Sequence, residues 1–316
     1  MHLLIPFAAS GSPACRQVLQ RLSLPNLEKL LGRLTLVDTD EADASSRTPP
    51  HERARARALR LDAPDGQVPW AARQAIQTGL AQPPADALAW AWITPCHWKV
   101  HADYIVMDNP LALALEPAQS LALLDAMRPF FEEDGITLHY AAPTQWLACG
   151  EVFRDLATAS LDRVVGGDID AWLPKSGQAA PLRRLQNEMQ MLLYTHAAND
   201  DRAARALAPV NSFWVSGTGA LPADWREPAQ DEPVLPDDLR EAALAGDWTA
   251  WGECWRALDA GACAALLAAL QAGHSVRLTL CGERGALTFE SQQKGMFRKI
   301  ASQFGRKPLS SLLNLL

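Results

Sequence analysis

The chain has 316 residues, 48% of them hydrophobic and 21% charged, and a formal net charge of −7. That balance is ordinary for a globular protein, and its sign argues against non-specific nucleic-acid binding, which needs a basic face. No run of about eighteen apolar residues occurs, so no membrane span is expected. The start "MHLLIPFAAS" lacks the charged opening and sustained apolar stretch of a signal peptide, so the expected compartment is the cytoplasm.

In chain order, "HLLIPFA" reads as a short buried strand. Ser12 as N-cap, Pro13 at N1 and Val18, Leu19 and Leu22 at helical spacing predict a helix. Asn26 is expected to cap a second helix carrying Leu27, Leu30, Leu31 and Leu34 on one face. "LTLV" then enters a strand, completing a β-α-α-β opening of the layered α/β kind. Residues 38–50, polar and ending in two prolines, read as a surface loop. The arginines at 53, 55, 57 and 60 spread around a helix and read as a solvated face. "VPWAARQAIQTGL" is a short helix stopped by Pro83-Pro84. Residues 87–109 read as strand on both sides of Pro95. A helix bent at Pro129 is expected over 117–133, then a hairpin turning at Ala142-Pro143. Residues 158–174 run as helix or turn into a Gly-Gly break. Leu182, Leu185, Met189, Leu192 and Leu193 mark the clearest helix. "VNSFWVSGTG" reads as a strand and a glycine turn. Residues 222–236 carry four prolines and read as a linker or crossing loop. Two or three helices follow over 237–273, then a final hairpin. The basic, amphipathic tail from 294 is expected to pack on the body, with a membrane or partner helix as the alternative.

The residues that carry chemistry are sparse. None of the six cysteines forms a C-x-x-C pair, so neither a zinc knuckle nor a redox dithiol is indicated, and buried thiols are expected. Trp248, Trp251 and Trp255 share one helical face; core packing is the favoured reading and a partner-binding surface the alternative. His97 and His101, with Asp103, are weak metal candidates, since no Glu follows the first His as in H-E-x-x-H. No P-loop, dinucleotide fingerprint or G-x-S-x-G elbow appears. Ser216 before Gly217 would be a hydroxyl at a strand end, where α/β sheets hold ligands, or those glycines simply make the turn.

Two stretches carry a family resemblance. "LPNLEKLL" resembles the "TPNLDRLA" segment of the alkaline-phosphatase superfamily, which there follows the first strand and its metal-binding Asp. "THAANDDRAARALAPVNSFWVSGTG" resembles the archaeal-type, cofactor-independent phosphoglycerate mutases, with matches at His196, Asn199, Arg202, Pro209, Asn211, Gly217 and Gly219. Asn109 falls where those mutases have Arg-Gly-Asn. The whole chain also resembles the RpfE-type proteobacterial proteins, which are regulatory or mutase-like. The resemblance covers roughly residues 1–35 and 88–222. It implies an alkaline-phosphatase-like layered α/β sheet with helices on both faces. One domain over 1–316 is expected, with 88–175 as a subdomain.

The resemblance fails where the mutases do their chemistry. They hold two divalent metals with Asp and His clusters and use a Ser or Thr nucleophile, because a two-metal site clamps the transferring phosphoryl group. Phe7 and Ala8 stand where the family places Asp-Gly. Gly282, Glu283 and Arg284 stand where it has Asp-His-Gly. The expected protein is therefore a metal-free, cofactor-free relative, regulatory or ligand-sensing, with no catalytic residue assigned. If an anion site survives, Arg202, Asn211, Gly217, Thr218 and Gly219 would hold a small phosphorylated ligand, and Arg202→Ala would abolish binding while sparing the fold. One alternative is an active phosphoglycerate mutase or phosphatase using manganese or zinc at a rearranged site around His97, His101 and Asp103. Another is a module that docks a protein partner through the tryptophan-rich helix and the basic tail.

Overall fold

Short apolar runs separated by Pro, Gly and polar residues build a mixed α/β protein. A computed structural model describes residues 1–61, 63–82, 88–228, 232–291, 313 and 316. Its strands are β1 (His2–Ile5), β2 (Thr35–Glu41), β3 (Trp90–Cys96), β4 (Trp98–Val100), β5 (Ile105–Met107), β6 (Thr137–Ala142), β7 (Gln145–Cys149), β8 (Ser212–Gly219), β9 (Arg277–Cys281) and β10 (Gly285–Glu290). The chain divides into two compact units. One comprises Met1–Ser45, Pro49–Arg60 and Glu227–Leu316, the other Ser46–Thr48 and Leu61–Arg226. The stretch 88–175 lies wholly within the second.

The first unit is built on a sheet of order β1-β9-β10-β2. β1 runs parallel to β9, and the other pairs are antiparallel. Alternation along each strand sends Leu3, Ile5, Leu278, Leu280, Leu287 and Phe289 to one face. There they form a core with residues of helices Pro13–Arg21, Pro25–Leu31, Trp248–Leu258 and Ala264–Gln271. Leu4, Cys281 and Ala286 point to the other face, where Ala54 of helix Pro50–Ala58 meets them. Three expectations change here. β2 continues to Glu41, so the polar stretch after residue 37 begins as strand. The arginines of helix Pro50–Ala58 are not merely solvated: Arg53 pairs with Asp40 at 2.8 Å, Arg57 with Asp38 at 2.9 Å and Arg55 with Glu232 at 2.5 Å. Asn26 lies inside its helix rather than capping it.

The cap comes from Asp259. Its carboxylate accepts the N–H of Leu27 at 2.7 Å and of Asn26 at 3.2 Å, satisfying amides that a helix start leaves without partners. The Asn26 side chain returns a bond to the Asp259 carbonyl at 3.0 Å. Asp259 opens a π-helical turn, Asp259–Cys263, set between two α-helical stretches.

The second unit has a sheet of order β6-β7-β3-β8, antiparallel throughout, and a separate β4-β5 ribbon. β3, "WAWITPC", is buried on both faces and reads as an almost continuous apolar run for that reason. Ala91, Ile93, Trp146, Ala148, Phe213 and Val215 face a core shared with helices Pro117–Glu133 and Ala180–Tyr194. Trp90 and Leu147 face helix Trp70–Gln77 on the other side. Each sheet thus carries helices on both faces. No helix among the described residues is long and apolar enough to cross a membrane.

Candidate functional site

The polar stretch 195–211 lies between helix Ala180–Tyr194 and β8 and is a connector held by its own side chains. His196 is the N-cap of helix Ala197–Ala204, its Nδ1 accepting from Ala198 N at 3.2 Å. Asn199 is buried. Its Nδ2 donates to the carbonyls of Leu193 (2.8 Å) and Val210 (2.7 Å), and its Oδ1 accepts from Val210 N (2.9 Å). One amide therefore ties the end of one helix to the start of the strand.

The residues expected to bind an anion are engaged the same way. Arg202 is fully buried, its Nε donating to Ala208 O at 2.8 Å, Nη2 to Leu113 O at 2.6 Å and Nη1 to Gln119 Oε1 at 3.0 Å. Asn211 completes β4 like a strand neighbour, accepting from Trp98 N at 2.7 Å and donating to Trp98 O at 2.9 Å. Thr218 is buried and bonds to Leu156 O at 2.5 Å and Thr158 Oγ1 at 2.9 Å. Gly217 lies six positions beyond Asn211, about 20 Å of extended chain, so the two do not share one pocket. The glycines sit in β8 rather than in a turn. Trp92 pairs with Ser216 and Trp90 with Gly219, leaving one extra residue on β8, a bulge. Gly217 has φ 62°, and a Cβ there would lie 2.8 Å from the Trp92 ring.

The weak metal candidates sit near the β4-β5 ribbon but do not converge. His97 donates from Nδ1 to Pro209 O at 2.8 Å. His101 stacks on Tyr104, ring centroids 4.5 Å apart. Asp103 lies exposed in the ribbon's turn. Asn109 accepts from Leu111 N at 3.1 Å and starts a short 3-10 turn.

In the first unit, β1 and β9 end side by side. Ala8 N donates to Cys281 O at 2.7 Å, which sets residues 7–11 against the turn 282–285. Ser10 Oγ donates to Glu283 Oε1 at 2.5 Å, and Gly11 N donates to Oε2 at 3.2 Å. Phe7 has φ 54°, a left-handed backbone that is strained for an aromatic residue. Its ring centroid lies 5.4 Å from that of His51. Its carbonyl accepts from Trp251 Nε1 at 2.9 Å, and that of Ala8 from Trp255 Nε1 at 3.3 Å. Both indoles are fully buried, which removes them from any partner-binding face. Burial, reinforced by the Glu283 charge against a hydrogen bond from Ser10, pushes the nearby Cys15 thiol above its ordinary pKa.

The sequence reading missed Ser10; it had Cys15 among the expected buried thiols and Trp251 and Trp255 in the core, as they are, but not the hydrogen bonds that the two indoles donate. "AASGSP" after a strand was the available signal for Ser10. A two-metal centre needs several carboxylates and imidazoles, and this strand end offers the Glu283 carboxylate and the Ser10 hydroxyl, with Arg284 following. These residues do not fit such a centre. Among the described residues, no group of three or more His, Cys, Asp or Glu is placed to hold a metal ion. All six cysteines are free thiols, four of them buried.

No family model matches the chain, and no curated protein matches it. Among solved structures, it is similar to a cofactor-independent phosphoglycerate mutase from Thermoplasma acidophilum DSM 1728. That likeness has 14% identity, covers 95% of this chain and 92% of the other, and has a TM-score of 0.38. It is also similar to the PH0037 protein from Pyrococcus horikoshii, with 12% identity, 92% and 87% coverage and a TM-score of 0.46. At these scores neither likeness assigns a family or an activity.

Proposed function

We propose that this is a phosphoglycerate-mutase-like protein without the mutases' metal ligands, with a non-catalytic role that is regulatory or ligand-sensing, as in the RpfE-type proteins it resembles. One observation carries the reading. The two places where the mutase pattern puts Asp-Gly and Asp-His-Gly meet at the ends of β1 and β9, with Ala8 N bonded to Cys281 O. They bring together Phe7, Ala8, Gly282, Glu283 and Arg284. One carboxylate beside a cation is a poor host for a pair of divalent ions, whose chemistry would be to polarise and orient a phosphoryl group. The tryptophan clamp on Phe7 and Ala8 supports a fixed strand end.

The test is elemental analysis after incubation with manganese and zinc followed by gel filtration. Metal near zero is expected. About two ions per chain, the count a two-metal site requires, would overturn the reading in favour of an active mutase or phosphatase.

A further inference from the structure

Cys96, Trp98 and Ser212 meet at the root of the β4-β5 ribbon. Phe213 and Val215 face the core shared with helices Pro117–Glu133 and Ala180–Tyr194, so alternation sends Ser212 and Trp214 to the opposite face of β8. Cys96 lies directly across from Ser212 in the β3-β8 ladder, which sets their Cβ atoms about 5 Å apart. Cys96, Trp98 and Trp214 belong to one apolar cluster with Met107, Ala159, Val164 and Ile169. Ser212 is fully buried and Trp98 nearly so. Here two polar atoms have no hydrogen-bond partner among the described residues, Ser212 Oγ and Trp98 Nε1. The neighbouring indole differs, since Trp214 Nε1 donates to Ala159 O at 2.9 Å. Burial pushes the Cys96 thiol well above its ordinary pKa, and the Trp98 indole lies near enough to offset part of that rise. Hydroxyl, thiol and indole N–H therefore converge on one spot.

A buried donor without an acceptor is costly, and native proteins leave few. An indole N–H only donates, whereas a hydroxyl donates and accepts. A group that satisfies both must be small and able to accept a hydrogen bond. It must also be neutral, because an ion in apolar surroundings costs far more. We propose that a single water molecule is bound there, accepting from Trp98 Nε1, bonded to Ser212 Oγ and neighboured by the Cys96 sulfur. Such a set of partners suits a buried water. Asn211 already holds the main chain of Trp98. The water lets the next residue, Ser212, hold its ring, so two adjacent residues pin the ribbon's root to β8. The inference does not depend on metal content and stands or falls separately from the proposed function.

Two measurements on the full chain test it. A crystal structure that shows ordered solvent should hold one water within about 3.2 Å of both Ser212 Oγ and Trp98 Nε1. A direct bond from either atom to a protein group, or no ordered water between them, overturns the proposal. In solution, oxygen-17 relaxation dispersion counts water molecules that stay inside a protein while it tumbles. Ser212→Val puts methyl groups in place of the hydroxyl and should lower that count by about one per chain. Should that variant not fold, Trp98→Phe, which removes the donor and keeps a ring, should give the same loss. A count that the folded variant leaves unchanged overturns the proposal.

Discussion

A guanidinium with no exposure is either a brace or a buried functional charge, and its partners decide which. At Arg202 they are two main-chain carbonyls and a glutamine. Burial, with Arg205 nearby, presses its pKa below the ordinary arginine value. Arg202→Leu takes the donor from all three acceptors, so it should lower stability by about 3 kcal/mol. Urea unfolding at unchanged m-value measures this, and a midpoint that stays put would return Arg202 to the ligand-binding candidates. Asp65 is a second brace. It accepts from Arg47 N (2.8 Å), Thr48 N (2.9 Å) and Ser46 Oγ (2.8 Å). Burial alone would raise its pKa, but these bonds outweigh it and hold the carboxyl below the usual Asp range. A depressed folded-state pKa contributes stability that is present above the unfolded value, about 3.9, and is lost as pH falls through the folded one. Asp65→Asn should therefore flatten the acid limb of a stability-versus-pH curve and leave its shape near neutrality unaltered.

At the scale of elements, the π turn at Asp259–Cys263 swings a carboxylate into the first turn of helix Pro25–Leu31. Asp259→Ala should cost about 2 kcal/mol, and Asp259→Asn less, because one acceptor oxygen remains; equal losses would point to packing instead. Gly217→Ala meets both a positive φ and the Trp92 ring, so it should destabilise by about 1–3 kcal/mol, measured by thermal unfolding. The strands and helices were legible because their apolar spacing is local: Leu182, Leu185, Met189 and Leu193 mark one helix face, and "WAWITPC" a buried strand. Asp259 capping a helix over two hundred residues away in sequence was not legible, nor was the bulge that moves Gly217 and Gly219 from a turn into β8. Both depend on pairing partners that no short window contains. The candidate site fared the same way. His196, Asn199 and Arg202 were picked out by pattern, yet what they bond to, distant backbone carbonyls among them, had to be seen.

Taken whole, the two units are threaded differently. The second is almost one continuous stretch, whereas the first is assembled from three. Its widest strand pairing joins Leu4 to Thr279, while the second unit's joins Trp90 to Gly219. Closing a longer loop costs more entropy before any contact repays it. Pulse-labelled hydrogen exchange during refolding should thus show amides of Ile93 and Val215 protected before those of Leu4 and Leu280, and the reverse order would refute this account.

The indoles bonded to Phe7 and Ala8 have a practical consequence. They turn the strand end into its own optical gauge. Indole emission follows the polarity and hydrogen bonding around the ring, and Trp251 and Trp255 donate straight to the carbonyls of Phe7 and Ala8. A molecule that settles there and shifts that backbone would change their light, and replacing each of the pair by phenylalanine would isolate the signal from the chain's other nine tryptophans.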